Sequence, residues 1–179
     1  LGYKRIGFIG GRQTKHMEYE KTRFKDDRQL TFESKMKQES LYRKEDVFVG
    51  EFTISDGYHL MKQAIEKGNM PKAFLIASDR MAIGALRALQ EEKVKVPEDV
   101  AIVSFDDIEM AKYASTPLTT VKVFTEFMGR TGVRLLFDLM DDREVPFRVS
   151  IPTKLVIRES CGMYQRNSIK GGDAKVDLE

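Results

Sequence analysis

The sequence predicts an α/β protein: a three-layer, doubly wound parallel sheet with helices on both faces. Two observations predict it. Short apolar runs of strand length recur along the chain and alternate with segments of helical hydrophobic periodicity. Several of these runs stop abruptly at glycine or polar residues, as buried parallel strands do where they deliver side chains to the open edge of a sheet. Such alternation indicates right-handed βαβ units.

The predicted elements follow one another at regular spacing. We expect strands at residues 5–9, 47–52, 73–77, 101–107, 118–123 and 149–157. We expect helices at residues 27–39, 56–67, 80–92 and 126–140. The expected helix caps are Asp26 or Asp27, then Ser55, then Ser78 or Asp79. The polar segment 12–27 is expected to be a functional or poorly ordered connection, and residues 163–179 a flexible tail.

Composition limits the class of protein. Lys plus Arg number 30 and Asp plus Glu 28, so the net charge of +2 gives no basic face of the kind that binds nucleic acid. The single Cys161 cannot form an internal disulfide, which favours a reducing, cytoplasmic setting. No apolar run is long enough for a membrane span. A strand that begins within a few residues of Leu1 suggests a piece of a longer protein.

The residues at the carboxyl ends of the predicted strands indicate a ligand site. In open α/β sheets, small molecules bind at that edge. Carboxylates and an arginine there can bind vicinal hydroxyls, and an aromatic face can cover the apolar side of a sugar ring. The strand-end residues are Gly10 and Gly11, Phe52, Ser78 and Asp79, and Asp106 and Asp107, with Arg28 in the first turn of the first helix.

The same residues partly match the patterns of other chemistries. Asp106 and Asp107 together suit a magnesium-dependent phosphoryl-transfer site, although no positioned Lys or Thr motif accompanies them. The glycines after the first strand match neither phosphate-binding pattern, G-x-x-x-x-G-K-[ST] or G-x-G-x-x-G. Ser78 with Asp79 lacks the G-x-S-x-G context of a nucleophile elbow, so helix capping is the simpler reading.

Four strings, in order and at matching spacing, resemble the effector-binding core of the lactose-repressor/galactose-repressor family of bacterial transcription regulators. They are LGYKRIGFIG at 1–10, ASDRMAIGA at 77–85, VPEDVAIVSFDD at 96–107 and PLTTV at 117–121. The resemblance implies a non-enzymatic sensor with a periplasmic-binding-protein-like type I fold, in which two lobes enclose a sugar cleft. It also implies a helix-turn-helix headpiece that binds operator DNA, no cofactor and no metal. An extracytoplasmic sugar-binding protein of the same fold is the alternative.

The chain departs from the family pattern in its extent. The headpiece and the first half of the core are absent, so residues 1–162 correspond to one lobe of two, formed by 1–121 with 149–162. The helix at 126–142 belongs to the missing lobe in the family. Its apolar face then needs another partner, and we expect it to pack against a neighbouring chain or a non-native surface. With half of the cleft absent, we expect weak or no sugar binding.

The resemblance also assigns roles to individual residues. Asp106 matches the strand-end acid that accepts from sugar hydroxyls, Phe52 the stacking aromatic and Arg28 the arginine that grips the effector. Ser78 falls where relatives carry a polar amide. Asp79 and Tyr19 are further candidate contacts. Tyr19 lies in a polar loop similar to that of a subgroup of the family that senses galactosides. Family dimers imply pairing through helices 56–67 and 80–92 and the segment near Tyr113.

Overall fold

The computed structural model describes residues 1–17, 20–141, 143, 145 and 148–163, with backbone alone at 14–17 and 20–24. The strands are β1 (Ile6–Gly11), β2 (Gln13–Met17), β3 (Glu20–Phe24), β4 (Val47–Gly50), β5 (Ala73–Ile76), β6 (Ala101–Asp106), β7 (Thr119–Lys122) and β8 (Lys154–Val156). The α-helices are α1 (Asp27–Gln38), α2 (Ile54–Glu66), α3 (Asp79–Glu91) and α4 (Thr125–Met140).

Six strands form the main sheet in the order β4-β1-β5-β6-β7-β8. The first five are parallel, which confirms the predicted doubly wound α/β class. From β1 the chain passes through α1 to the outer strand β4, and then returns across β1 to β5. The strand order therefore reverses between β1 and β5, and a crevice at their carboxyl ends is the expected ligand position in such a sheet.

The two faces of the sheet carry different helices because consecutive side chains of a strand point to opposite faces. Ile9 and Phe74 face α2 and α3, and form with them the larger apolar core. Phe8 faces α1, where its ring stacks on Phe32 at 5.2 Å between centroids. The three predicted layers are present. On the α1 side an apolar groove of about 570 Å³ stays open beside Leu1.

Side chains at the helix starts explain where three of the helices begin. Asp26 caps α1 by accepting a hydrogen bond from the backbone N–H of Arg28. Thr53, rather than the predicted Ser55, caps α2, because its Oγ1 accepts from the N–H of Asp56 and starts the helix two residues earlier. Ser78 caps α3 through the N–H of Met81. Each cap supplies a hydrogen-bond acceptor to one of the backbone N–H groups that the first turn of a helix leaves without a partner.

Two predicted features differ from the structure. The segment 12–27 contains the antiparallel hairpin β2–β3, which its polar sequence did not indicate. The final strand is shorter than expected, so Pro152 lies before it and not within it. It pairs antiparallel to β7, so the parallel pairing expected there is wrong. Antiparallel neighbours need no crossover helix packed on the sheet. After β7 the chain leaves the sheet, forms α4 and then returns as β8. The predicted tail lies outside the described residues beyond Met163.

Helix α4 forms as predicted but buries none of its residues. Large apolar side chains along it are open to solvent, among them Phe127, Leu136 and Phe137. Coverage of this helix by a neighbouring chain, and its assignment to a second lobe, stay predictions. None of the helices in the described part of the chain has the length and apolar composition that crossing a bilayer requires.

Candidate functional site

The candidate site lies at the carboxyl ends of β1, β5 and β6, where the strand order reverses. Gly11 ends β1 and packs directly under Phe52, which follows β4. A Cβ at position 11 would approach the Phe52 ring to 2.5 Å, so glycine allows the aromatic ring to lie over the strand end. Phe52 thus stands where the sequence placed a stacking aromatic, at the edge of the crevice.

Arg28 reaches the middle of this crevice from the first turn of α1. Its Nε and Nη2 donate to the two oxygens of Asp26 at 2.7 and 2.9 Å, and its Nη1 donates to the carbonyl oxygen of Ala77 at 2.6 Å. The guanidinium carbon lies 4.9 Å from the centre of the Phe52 ring and 5.7 Å from that of Phe105. An arginine in a first turn opposes the helix dipole, and Asp26 offsets that cost.

Asp106 faces Arg28 from the end of β6. Its Oδ1 lies 3.9 Å from Nη1 of Arg28, too far for a direct hydrogen bond. Burial raises the pKa of Asp106 to about 6, although the positive charge of Arg28 acts in the opposite direction. A hydroxyl placed between the two groups at about 2.8 Å from each would accept from Arg28 and donate to Asp106. The pair is therefore spaced to hold one hydroxyl oxygen.

Asp79 lies beneath the crevice and is fully buried. Its Oδ1 accepts from the hydroxyls of Ser104 on β6 and Thr120 on β7, at 2.5 and 2.8 Å. Its Oδ2 accepts from the backbone N–H of Ile108 at 2.9 Å. A buried carboxylate with three donors is satisfied without a ligand. Asp79 thus joins α3 to two strands and to the turn that follows Asp106.

Asp107 is held from the other side of that turn. Its side chain is 5% exposed and pairs with Arg158 at 2.6 Å and with Lys122 at 3.6 Å. Asp106 and Asp107 both have positive φ, 111° and 57°, a conformation that L-residues other than Gly, Asn and Asp rarely adopt. The contacts of Asp79 and Asp107 fix the turn and aim Asp106 into the crevice.

The sequence-predicted site residues divide into three groups. Arg28, Phe52 and Asp106 meet in the crevice. Ser78 is 6% exposed, and its Oγ accepts the capping hydrogen bond of α3, while Asp79 lies buried beneath the crevice. Tyr19 lies outside the described residues. Sequence reasoning missed two supporting residues. Asp26 as the partner of Arg28 could have been indicated by their two-residue spacing at a helix start. Arg158 lies 51 positions from its partner Asp107 and gave no local signal.

A second hollow of about 430 Å³ continues from Asp106 and Asp107 along the start of α4. Lys122, Phe124 and Arg130 line it. Among the described residues, no group of three or more His, Cys, Asp or Glu side chains is placed to hold a metal ion. The carboxylate of Asp107, which the magnesium hypothesis needs, is already paired with two cations.

The chain is similar to known regulatory proteins along most of its length. The family model described as periplasmic binding protein-like domain matches residues 1–161. The HTH-type transcriptional repressor MelR of Bacillus subtilis (strain 168) is 51% identical over 165 residues, which are 90% of this chain and 47% of that protein. The HTH-type transcriptional regulator GalR of Lacticaseibacillus casei is 41% identical over 163 residues, 89% of this chain and 49% of that protein. The chain spans about half the length of these curated relatives.

Solved structures show the same fold. A complex of the transcriptional regulator CelR with cellobiose has a TM-score of 0.77 and 32% identity, over 89% of this chain and 47% of that one. A lac repressor dimer bound to operator and the anti-inducer ONPF has a TM-score of 0.77 and 25% identity, over 90% of this chain and 54% of that one. The similarity extends through the crevice, since 1–161 contains each element that lines it.

Proposed function

The chain belongs to the periplasmic binding protein-like domain family, and from this premise we propose that it is the sugar-sensing part of a bacterial transcription regulator. The predicted resemblance to the lactose-repressor/galactose-repressor family is confirmed by relatives that are named as regulators. The effector is a sugar, and a galactoside is the class we favour. The protein acts by binding and not by catalysis, in the cytoplasm, where operator DNA is found.

The observation that carries this proposal is the pair formed by Arg28 and Asp106. A cation and a carboxylate 3.9 Å apart, beside the exposed edge of Phe52, match a ring that carries hydroxyls on its rim and C–H groups on its face. The relative solved with cellobiose supports a saccharide as the ligand class. Arg28, Phe52 and Asp106 are the proposed contacts, Ser78 and Asp79 support them, and Tyr19 is a further candidate contact.

Signalling follows from differential affinity. In a two-lobed sensor, a sugar that touches both lobes binds the closed state more tightly than the open state, and it shifts the equilibrium by that difference. Residues 1–161 supply one wall of the cleft. In our proposal a headpiece outside this sequence binds the operator, because a net charge of +2, from 30 Lys plus Arg and 28 Asp plus Glu, gives this chain no electrostatic case for binding DNA.

Dimerisation is proposed through α2, α3 and the segment near Tyr113. The Tyr113 side chain is 80% exposed, and so is much of Met110, whose backbone carbonyl accepts from the Tyr113 N–H. Ile54, which lines a hollow together with Met110, is also open to solvent. A lac repressor relative was solved as a dimer, which supports pairing. Sedimentation velocity of the wild type and Tyr113→Glu tests the surface: a dimer that becomes monomeric supports it, and an unchanged sedimentation coefficient contradicts it.

The ligand class is tested by titrating the isotope-labelled chain with methyl β-galactoside and with cellobiose, followed by amide NMR. The acyclic polyol mannitol is the control, since it offers hydroxyls but no ring face. We expect amide shifts at Gly11, Phe52, Ala77 and Asp106 with at least one sugar and weak affinity overall. Amide shifts that are equal with mannitol, or that avoid the crevice, would contradict sugar binding there. Submicromolar affinity would contradict the expectation that this chain, with one wall of the cleft, binds sugar weakly.

The phosphoryl-transfer alternative gains no support from the site, because Asp107 is neutralised by Arg158 and Lys122. A magnesium titration of the same sample distinguishes the two. Line broadening or shifts at Asp106 and Asp107 that depend on magnesium, together with phosphatase turnover lost in Asp106→Asn, would favour the enzyme. The extracytoplasmic alternative is not favoured either, since the similar curated proteins are HTH-type regulators.

A further inference from the structure

Asp26 occupies a position in the site that capping α1 does not explain. A cap needs one oxygen, and Oδ1 supplies it to the N–H of Arg28 at 2.9 Å. The same carboxylate also binds the guanidinium of Arg28 in a fork, through Nε and Nη2. Its Oδ2 further accepts from Nε2 of Gln13, the first residue of the hairpin β2–β3. Asp26 is 2% exposed, so its carboxylate depends on these protein donors rather than on solvent.

The fork determines which donors of Arg28 face the crevice. A guanidinium has five N–H groups in one plane. Asp26 takes two of them and the carbonyl oxygen of Ala77 takes a third. The remaining N–H groups lie on the two terminal nitrogens, of which Nη1 lies 3.9 Å from Asp106. Rotation of the guanidinium group would break its two charge-assisted hydrogen bonds to Asp26, each stronger than a neutral one.

We propose that Asp26 is a positioning residue of the ligand site, which locks the guanidinium of Arg28 opposite Asp106 and ties it to the hairpin β2–β3. It does not touch the ligand itself. The proposal rests on the function proposed above, in that Arg28 and Asp106 are the ligand contacts. A displacement of the hairpin base at Gln13 is transmitted through one carboxylate to the arginine, so the hairpin and the contact residue move as a unit.

The charge on Asp106 reports the position of Arg28 without any ligand. Burial raises the pKa of Asp106 to about 6. The charge of Arg28, a hydrogen bond from the backbone N–H of Asp79 and the charge of Arg80 lower it, while the charge of Asp79 raises it. Asp107 and Lys122 adjoin it but pair with each other. When the charged fork of Asp26 is lost, Arg28 is no longer held at 3.9 Å from Asp106, and its lowering effect on the pKa of Asp106 weakens. An opposite charge at such a distance lowers a carboxyl pKa by about one unit, so withdrawal of Arg28 raises the pKa by about that amount.

The test measures the pKa of Asp106 by carboxyl ¹³C NMR in the full chain for Asp26→Asn and Asp46→Asn. Asparagine keeps a capping oxygen at position 26, so α1 retains its start. Asp46 is the matched control: it is also 2% exposed and binds Arg5 in a fork, but at the opposite end of the sheet. We expect the pKa of Asp106 to rise by about one unit in Asp26→Asn, because Arg28 is released, and to stay at about 6 in Asp46→Asn.

A third variant separates the two parts of the proposal. Gln13→Leu removes the hairpin contact and keeps the fork, so Asp106 should titrate as in the wild type while amide exchange of the hairpin becomes faster. An Asp106 pKa that is equal in the wild type and Asp26→Asn, or shifted equally by Asp46→Asn, would overturn the proposal. A lower pKa in Asp26→Asn would overturn it too, because it would show that Asp26 acts only as a neighbouring negative charge and does not hold Arg28 in place. Because this experiment uses no sugar, its result does not depend on the sugar titration, and the two proposals can fail independently.

Discussion

Two arginine–aspartate forks of nearly equal geometry stand at opposite ends of the sheet. At the amino end, Arg5 binds Asp46 through Nε at 2.7 Å and Nη2 at 2.6 Å. At the carboxyl end, Arg28 binds Asp26 at 2.7 and 2.9 Å. In both, the aspartate is 2% exposed. The pairs differ in what surrounds the third nitrogen of each guanidinium.

Nη1 of Arg5 donates to the side chain of Asn69 on the surface, and the fork ends there. Nη1 of Arg28 donates to the main chain at Ala77 and faces Asp106, with Phe52 under the guanidinium. The same two residue types therefore serve two purposes. One pair joins β1 to the segment before β4, whereas the other holds charge at the point where the strand order reverses.

The largest expected difference between the forks is in ligand response. Arg28→Ala removes a charged donor, and loss of such a hydrogen bond costs about 2.4 kcal/mol, or about 50-fold in affinity. Arg5→Ala leaves the crevice intact. In the sugar titration, crevice shifts should vanish in Arg28→Ala and persist in Arg5→Ala. Persistence in both variants would remove Arg28 from the ligand contacts.

The next effect is on stability, and here the forks should behave alike. Each substitution, Arg5→Ala or Arg28→Ala, leaves a buried aspartate without its cation. Breaking a buried pair costs about 3 kcal/mol, which we reduce to about 2 kcal/mol because both arginines are partly open to solvent. Urea unfolding should show equal losses. A loss confined to one variant would show that the forks are not energetically equivalent.

The pH dependence should separate the two ends of the sheet again. Asp106 has a pKa of about 6 in the folded chain against an ordinary value of 3.8, so the folded state binds more protons between these values. The contribution of Asp106 to stability is therefore fully present below pH 3.8 and is lost as the pH rises through 6, a change of about 1 kcal/mol after solvent screening. Sugar affinity changes in the opposite direction, since the carboxylate is the acceptor.

Comparison of the wild type with Asp106→Asn isolates this group from the other carboxyls. Asp26 is one of them: burial acts to raise its pKa, but hydrogen bonds from Arg28 outweigh burial and lower it. Its stabilising contribution is lost only as the pH falls through that lowered value. Urea unfolding at several pH values should show the fall between pH 4 and 7 in the wild type alone, and the same slope in Asp106→Asn would contradict the assignment.

The smallest effect concerns the third nitrogen of Arg5. Asn69→Ala removes an exposed hydrogen bond and should cost about 0.5 kcal/mol in thermal unfolding, with no change at Asp106. The equivalent anchor of Arg28 is a backbone carbonyl, which no side-chain substitution removes. A cost near 2 kcal/mol for Asn69→Ala would mean that the Arg5 fork depends on its third contact as much as on Asp46.

Much of the fold follows from the sequence because buried parallel strands are continuous apolar runs. The run at 101–107 is an example, and its end at Asp106 also located the site. The direction of β8 was not predictable, since an edge strand has the same pattern in either orientation. The hairpin β2–β3 was missed because its strands lack alternating hydrophobicity and a recognisable two-residue turn.

The candidate site was predictable in its contacts and not in its support. Strand-end position indicated Asp106 and Phe52, but the partners that hold them come from distant parts of the chain. Asp107 meets Arg158 across 51 positions, and Asp79 meets Thr120 across 41. Contacts of that range depend on tertiary packing and leave no periodic trace in one sequence. Asp26 was expected only as a cap, which is half of what its carboxylate does.

The positive φ of Asp106 limits which residues can evolve at that position. Glycine would adopt φ 111° at no cost but would carry no acceptor, and alanine would meet the conformational cost and lose the acceptor as well. Asparagine keeps an oxygen and tolerates the conformation, but it cannot become an anion. Backbone shape and the proposed ligand contact thus favour the same few residues, and we expect mutational tolerance at 106 to be among the narrowest in the chain.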